Sequence, residues 1–180
     1  MMIRLSKVYL FFLSMVVFTP SLTGQTYKEE NKKIDGNNVV LKGENVNPEV
    51  LSNFGIFATP NPKNATVQGN SVFVRQIGDF NTASVQTKTN ASEINLLQNG
   101  NSNHTQLDYT ANTAIADLVQ NGDYNQITDF VNDPNADISL DLVQEGSNLN
   151  FERNGVNELT KSIKFKQTEA SPTIIVRSYF

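Results

Sequence analysis

The sequence of 180 residues lacks cysteine and tryptophan and has a single histidine, His104. Without cysteine the chain has no disulfide, no thiolate metal site and no cysteine nucleophile. Charged residues make up 18% of the chain and the formal net charge is −4, whereas nucleic-acid binding depends on basic patches. We therefore expect no nucleic-acid partner, and a source of stability other than disulfides.

The chain also lacks an apolar run of the ~20 residues that a membrane-spanning helix needs. Residues 8–18 are apolar except for Ser14, with Arg4 and Lys7 before them and small residues in 21–24. This order is typical of a secretory signal peptide, so we predict a signal peptide over residues 1–24, cleaved after Gly24. The alternative is a buried amino-terminal helix or strand. We expect an exported protein that is not an integral membrane protein.

Residues 25–69 offer little material for a packed core. A charged stretch comes first, and asparagine, glycine and proline then recur through residues 37–64. Such a density of turn-forming residues disfavours regular structure. We predict an irregular leader, and the alternative is a cap on the first coil of the array that follows.

What the sequence does have is a repeat. The pattern Gln-x-Gly-x-x-Asn begins at three glutamines spaced by 22 residues (98 − 76 = 22, 120 − 98 = 22), namely Gln76, Gln98 and Gln120. Partial copies follow at Gln144 (144 − 120 = 24) and Gln167 (167 − 144 = 23). A fixed period of ~20–50 residues indicates a solenoid or array. We predict an all-β fold, a parallel β-solenoid of about five strand-turn-strand coils over residues 70–180 with a degenerate last coil.

Apolar residues alternate with polar ones before each glutamine, as Val72 and Val74 do before Gln76. This period of two predicts a strand with one buried face, and the parity places the glutamines on that face. A buried amide without a partner is costly. Amides stacked at ~4.8 Å can each donate to one neighbour and accept from the other. We therefore predict a ladder of in-register amides: Gln76, Gln98, Gln120, Gln144 and Gln167.

Each of the first four glutamines is followed by a glycine that predicts a tight turn, at Gly78, Gly100, Gly122 and Gly146. Three asparagines then begin a second strand and predict a second ladder: Asn81, Asn103 and Asn125. The second strand alternates less cleanly, because Asp129 stands at the position of Val85 and Leu107. Each coil is therefore expected to hold two strands.

The sequence supports four further expectations about the coils. We expect turns near residues 90–91, 112–113 and 135–136, and Pro134 in the last of them because proline has no N–H for a strand ladder. Leu149 stands where an asparagine would be, which suggests a register shift of one residue. Neither end of the array has an obvious polar cap, so we expect unpaired strand edges at both ends.

Residues 70–180 resemble the curlin repeat, the unit of bacterial curli fibres. The first copy carries Gln-x-Gly-x-x-Asn-x-Ala in full, and a serine lies six residues before the second glutamine as in that repeat: Gln76, Gly78, Asn81, Ala83 and Ser92. The chain also departs from the repeat. Its alanine is replaced in Thr105, Ile127 and Phe151, and its second glutamine is displaced to Gln86, Gln106 and Gln126.

The resemblance implies an exported subunit that passes through an outer-membrane secretion channel. It further implies assembly with itself or with a homologous curlin subunit into functional amyloid on the cell surface, for biofilm matrix and adhesion. The degenerate last copy is more similar to the minor, nucleating subunit than to the major one, and both roles stay open. The alternative is a monomeric β-solenoid that acts as a surface adhesin or as a polysaccharide-binding or polysaccharide-degrading module.

Candidate catalytic and metal-binding residues are few. By parity His104 faces outward at the start of a strand, and nothing supplies the pocket of a Ser-His-Asp site. Stacked outward carboxylates could bind Ca²⁺ or serve as the acids of a glycosidase: Asp117, Asp141, Asp137 and Asp133. We favour the simpler interpretation that these charges keep the strands soluble. We expect no enzyme activity, no catalytic residue, no cofactor and no metal.

Overall fold

The computed structural model describes residues 46–178. The predicted signal peptide, the leader before Val46 and the last two residues of the chain lie outside the described residues. Within them the chain forms a short helix α1 (Pro48–Ser52), a 3-10 helix (Pro62–Ala65) and nine strands. The strands are β1 (Asn70–Ile77), β2 (Lys88–Asn99), β3 (His104–Leu107), β4 (Thr110–Asn121), β5 (Gln126–Asp129), β6 (Asp133–Glu145), β7 (Asn150–Arg153), β8 (Ser162–Thr168) and β9 (Thr173–Val176).

The strands form two parallel sheets, of order β1-β2-β4-β6-β8 and β3-β5-β7-β9. Each coil after the first places one strand in each sheet, and the first coil contributes only β1. The predicted fold class is confirmed: the described chain is a parallel β-solenoid of five stacked coils. The stack explains how a chain without disulfides holds together, because each coil is hydrogen-bonded to its neighbours.

The core follows from the alternation before each glutamine. Two apolar rows point inward along the five-stranded sheet, and their buried members are Ile94, Ala116, Leu140, Ile163, Leu96, Leu118, Leu142 and Phe165. Phe165 packs against Phe151 of the opposite sheet with the ring centroids 5.1 Å apart. Full burial of a leucine-sized side chain contributes about 1.5–3 kcal/mol, so the rows supply much of the stability.

Three of the smaller predictions about the coils are wrong: the positions of the turns, the place of Pro134 in a turn and the register shift at Leu149. The expected turns at 90–91, 112–113 and 135–136 lie inside β2, β4 and β6, because these strands extend for 12, 12 and 13 residues. The chain turns instead just after β3 and β5, where positive φ angles run from Gln106 to Asp108 and from Thr128 to Val131. Pro134 lies in β6, where Ala111 pairs with Asp133 and Thr113 with Asp137. The two extra residues of the 24-residue spacing therefore form a bulge.

The register does not shift at Leu149. Gln126 pairs with Asn150, and the amide of Leu149 donates to Asn125 Oδ1 at 3.0 Å. Leu149 takes the asparagine position with its side chain fully buried. A leucine fits this place because the site points into the core.

The described part of the leader is ordered against the solenoid. Asn47 caps α1 by accepting from the amide of Val50 at 2.9 Å, and Leu51 and Ile56 join the core. Residues 56–69, which we call the strap, then run along the stack from its last coil to its first. Phe57 exchanges two hydrogen bonds with Lys164 of β8, each of 2.8 Å.

Further along the strap, Asn64 donates to Ile138 O (3.0 Å) and Thr113 Oγ1 (2.9 Å). The Lys63 ammonium reaches Glu93 at 2.7 Å, one coil nearer the start of the stack. The expectation of an unpaired edge at both ends is therefore wrong at β8, because Phe57 covers the middle of that edge.

Candidate assembly surface

The five predicted glutamines lie in one row, paired strand to strand in register. Each Nε2 donates to the Oε1 of the next glutamine, at 2.7 Å for the first pair and 2.9 Å for the other three. Gln98, Gln120, Gln144 and Gln167 are fully buried. The ladder is directed, because every amide donates toward the carboxyl end of the stack and accepts from the amino end.

The second N–H of each buried glutamine binds a backbone carbonyl of the preceding coil. Gln98 donates to Thr82 O at 2.8 Å, and Gln120 donates to His104 O at 3.1 Å. The same bond recurs from Gln144 to Gln126 O and from Gln167 to Asn150 O. A buried amide that keeps both donors and its acceptor satisfied avoids the desolvation cost of an unpaired polar group. The ladder therefore ties the two sheets together across the core.

The turn glycines have a packing role as well as a conformational one. The φ angles of Gly78, Gly100 and Gly122 are +104°, +129° and +116°, a region that side chains disfavour. A Cβ on any of the three would lie 2.1 Å from the carbonyl oxygen of the glycine in the next coil. Stacking therefore requires glycine here, because the turn backbones touch.

The asparagines form a ladder in which one bond joins two side chains, from Asn103 Nδ2 to Asn81 Oδ1 at 3.1 Å, and the other bonds join side chain to backbone. The Asn81 amide donates to Gly100 O at 2.7 Å and accepts from the backbone N–H of Asn103 at 3.0 Å. Asn103 repeats both bonds with Gly122 and Asn125, and Asn125 repeats them with Gly146 and Leu149. These residues lie just before β3 and β5 rather than inside them. Each asparagine side chain binds the backbone of the next coil.

The first coil exposes the surface that is buried in every later coil. Val72 and Val74 are 49% and 39% exposed, and Gln76 is exposed as well. With Asn81 to Val85 they line an open depression of about 490 Å³. Within the described residues, no donor reaches Gln76 Oε1.

The free backbone groups of β1 follow from the strand pairing. Ser92 N donates to Gly69 O and Gly100 N donates to Ile77 O, so odd-numbered residues of β1 face β2. Alternate residues of a strand bond to opposite neighbours. The backbone groups of Val72, Val74 and Gln76 therefore face the open edge.

The last coil keeps the glutamine of the repeat and departs from it at the glycine and asparagine positions. Its glycine position holds Glu169, whose side chain lies against Gly146. Pro172, the residue before β9, takes the asparagine position, since Asn150 pairs with Thr173. The Gln167 amide donates to Ser171 O (3.1 Å) and Pro172 O (3.0 Å) of its own turn. The ladder thus ends inside the chain.

A buried charged cluster links the third and fourth coils. Arg153 and Asp129 are both fully buried and form a double ion pair, with Nε–Oδ1 at 2.6 Å and Nη2–Oδ2 at 2.9 Å. The Tyr109 hydroxyl donates to Asp129 Oδ2, and Arg153 Nη1 donates to Ser139 O and Thr160 O. Burial raises the pKa of the Tyr109 hydroxyl well above its ordinary value. Burial acts to lower the pKa of the Arg153 guanidinium, but the interactions with Asp129 and Tyr109 together outweigh it and the net pKa is raised. Tyr109 therefore stays neutral and Arg153 charged.

In the sequence Asp129 interrupts the apolar alternation, and its pairing with Arg153 was not predicted. A signal was available, because Arg153 lies nine residues after Gln144 just as Asp129 lies nine after Gln120 (153 − 144 = 9, 129 − 120 = 9). An acid and a base at one inward position of successive coils are placed to pair.

The outward residues that were weighed as catalytic or metal-binding have protein partners. His104 is exposed, and its Nδ1 lies 2.8 Å from Thr82 Oγ1. Asp117 pairs in register with Asp141, Asp117 accepts from Asn95 at 2.8 Å and Asp141 lies 3.4 Å from Lys164 Nζ. Asp137 accepts from Asn112 and Thr113, and Asp133 accepts from the amide of Asn135. Among residues 46–178, no group of three or more acidic or histidine side chains is placed to hold a metal ion.

No family model, curated protein or solved structure matches this chain. In the part of the chain that the structure describes, no helix is long and apolar enough to cross a membrane.

Proposed function

We propose that this protein is a structural subunit or nucleator of curli-like cross-β fibres, a member of the curlin-repeat family without enzymatic activity. The observation that carries the proposal is the in-register ladder of five glutamines in a parallel stack whose first coil is open. Identical amides stacked at ~4.8 Å are the side-chain arrangement of cross-β fibres.

An exposed edge strand supports assembly in a second way. None of the strands within residues 46–178 pairs with the outer edge of β1, which carries exposed apolar side chains, and such an edge is a template for another strand. Pairing there would bury Val72 and Val74 as the same rows are buried in later coils. The free energy for assembly would come from new contacts between chains, of the same kind as those that hold the coils together within one chain.

The proposed setting is the cell surface, reached through cleavage of the signal peptide and an outer-membrane secretion channel. The partners would be a second copy or a homologous repeat subunit, and the fibre would serve matrix formation and adhesion. The outward carboxylates are engaged with lysines, amides and hydroxyls, which favours a structural protein over a glycosidase.

The test is assembly of the purified protein, alone and mixed with a probe polypeptide made of five tandem copies of residues 88–109. The probe carries Gln98, Gly100 and Asn103 in every coil. We expect thioflavin-positive fibres in at least the mixture, with a meridional reflection at ~4.8 Å. A protein that remains a monomer over days in both samples, and leaves the probe's lag time unchanged, would contradict the proposal.

A double substitution serves as the control for mechanism. Gln98→Ala with Gln120→Ala removes two central rungs, so fibre formation should slow because the amide ladder is broken. The matched control is Gln86→Ala with Gln106→Ala, which changes two glutamines outside the ladder. Equal kinetics for the two double variants would argue against stacked amides as the basis of assembly.

A further inference from the structure

We infer that the chain has a single growing end: its first coil receives the carboxyl-terminal coil of a different polypeptide with an intact Gln-x-Gly-x-x-Asn pattern, and its own last coil stops the stack. This inference rests on the proposed function and assigns its partner. It follows from the unequal chemistry of the two ends.

The first coil presents the acceptor side of the directed ladder. Among residues 46–178 no donor reaches Gln76 Oε1, whereas the Oε1 of each later glutamine in the ladder accepts from Nε2 of the glutamine one coil earlier. The coil that docks on β1 must therefore bring a glutamine whose Nε2 points forward. It must also bring apolar residues two and four positions earlier, to cover the inward rows of Val74 and Val72.

The turn imposes the second requirement. At three successive steps of the stack, a Cβ on the upstream glycine would lie 2.1 Å from the next glycine's carbonyl oxygen. The docking coil is upstream of Gly78, so it must have glycine at the matching position. An asparagine three residues later would bind Gly78 O and the amide of Asn81, as Asn81 binds Gly100 and Asn103.

The carboxyl end of a second copy of this chain fails these requirements. Glu169 has a side chain at the position where the docking coil needs glycine, and Pro172 has no amide side chain to donate. The Gln167 Nε2 group, which in earlier coils donates to the next glutamine, instead donates to Ser171 O and Pro172 O. Phe57 further covers the centre of the β8 edge with two hydrogen bonds. The partner is therefore another repeat protein rather than this chain itself.

The experiment uses the tandem probe of residues 88–109 as that partner, with the full protein at substoichiometric concentration. The test variant is Val74→Lys, which puts an ammonium on the inward row of the open coil. The matched control is Phe73→Lys, one residue away on the outward face of β1, where the side chain is 62% exposed. Both changes lie on exposed positions, and circular dichroism would check that the fold is kept.

We expect Val74→Lys to slow templating of the probe by more than about tenfold, because docking would bury an unpaired charge. Phe73→Lys should stay within about twofold of the unmodified protein, as is usual for a surface substitution. Equal loss in both variants, or no loss in Val74→Lys, would overturn the assignment of the first coil. A probe that the unmodified protein does not accelerate, with no fibres in any sample, would instead contradict the proposed function itself.

The stop at the last coil has its own readout. The chain lacks cysteine, so Glu158→Cys, at a side chain that is 91% exposed, gives a unique site for a gold label. Electron micrographs of fibres grown with the probe should show gold at one end of a fibre only. Gold distributed along the fibres would mean that copies of this chain stack on one another, which would overturn the inference while leaving the proposed function in place.

Discussion

The first and last coils are the two ends of one stack, yet they differ in nearly every contact position. The first coil keeps glutamine, glycine and asparagine at the repeat positions and leaves its inner face open. The last coil keeps only the glutamine, turns that amide back on its own turn and has the middle of its β8 edge covered by Phe57 at Lys164.

The difference between the ends teaches that a repeat and its termination are separate pieces of chemistry. Periodic residues propagate the stack, because each coil offers the next one the same donors and acceptors. Non-periodic residues end it, and in this chain they come from the last coil and from the strap, which is distant in sequence.

The largest expected effect is at the buried ion pair that secures the carboxyl-terminal half. Arg153→Ala leaves the Asp129 carboxylate buried without its partner, which should cost about 3–5 kcal/mol in the free energy of unfolding. Urea unfolding followed by circular dichroism measures the loss. The equivalent inward position in the first two coils holds the apolar residues Val85 and Leu107. Two apolar side chains at the positions of Asp129 and Arg153 should therefore fit the fold.

The control for Arg153 is the double variant Asp129→Leu with Arg153→Met. It should recover most of the lost stability, because removing both charges avoids the unpaired carboxylate. A double variant that is as unstable as Arg153→Ala would mean that packing volume, and not charge pairing, explains the loss.

The next largest effect is expected on stability at the turn glycines, where Gly122 stacks on another glycine turn and Gly146 stacks on the turn of Glu169. Gly122→Ala places a methyl group 2.1 Å from Gly146 O, a backbone atom that cannot move freely, whereas at Gly146 the nearest atom is the flexible Glu169 Cγ at 2.7 Å. We expect about 2–3 kcal/mol of destabilisation at Gly122 and about 1–2 kcal/mol at Gly146, mainly from its positive φ. Thermal unfolding of both variants checks the order, and a reversed order would show that the turns do not touch as described.

A smaller loss of stability is expected at the glutamine ladder, and it should differ between a buried interior rung and the exposed first rung. Gln120→Ala removes a fully buried rung and leaves Gln144 Oε1 without its donor, so we expect a loss of about 2–3 kcal/mol. Gln76→Ala changes an exposed rung and should cost less than about 0.5 kcal/mol in the monomer. Chemical denaturation of the two variants, at a concentration where neither assembles, decides the point, and equal losses would contradict an open first coil.

The smallest expected effect concerns the strap. The hydrogen bond from Lys63 lowers the pKa of the Glu93 carboxyl below its ordinary value, and the same bond raises the pKa of the Lys63 ammonium. The contribution of Glu93 to the stability of the fold is therefore present above its unfolded pKa and is lost as pH falls through its lowered pKa. The contribution of Lys63 to stability is present below its unfolded pKa and is lost as pH rises through its raised pKa. Both side chains are more than a third exposed, so solvent screens the pair.

Carbon NMR of the Glu93 carboxyl measures this effect directly. The titration midpoint should lie below that of an ordinary glutamate and move up toward the ordinary value in Lys63→Met. A midpoint that is unchanged by Lys63→Met would show that the strap is not held at this point.

The sequence predicted the stack because the information for it is periodic. The parity of Val72, Val74 and Gln76 recurs in each copy, so the inward face, the glutamine ladder and the turn glycines could all be read from spacing. The exact turns after β3 and β5 could not, because positive φ angles there fall on ordinary residues such as Leu107 and Thr128.

The residues that close the molecule have no period to reveal them. The pairing of Phe57 with Lys164 joins positions more than a hundred residues apart, and a single bridge of this kind leaves no pattern in the sequence. The Asp129–Arg153 pair occurs once, so it appeared as an irregularity in the alternation until the structure brought both residues to one buried place.

The most direct test of the account is amide hydrogen exchange of the monomer, residue by residue, at the two ends of the five-stranded sheet. The Lys164 amide, which donates to Phe57 O at 2.8 Å, should be protected to the level of the core strands. The amides of Val72 and Val74, which face the open edge of β1, should exchange within the dead time of a conventional measurement. Protection of both ends would mean that the first coil is covered, and rapid exchange at Lys164 would mean that the last coil is open; either result would contradict a stack with one open and one closed end.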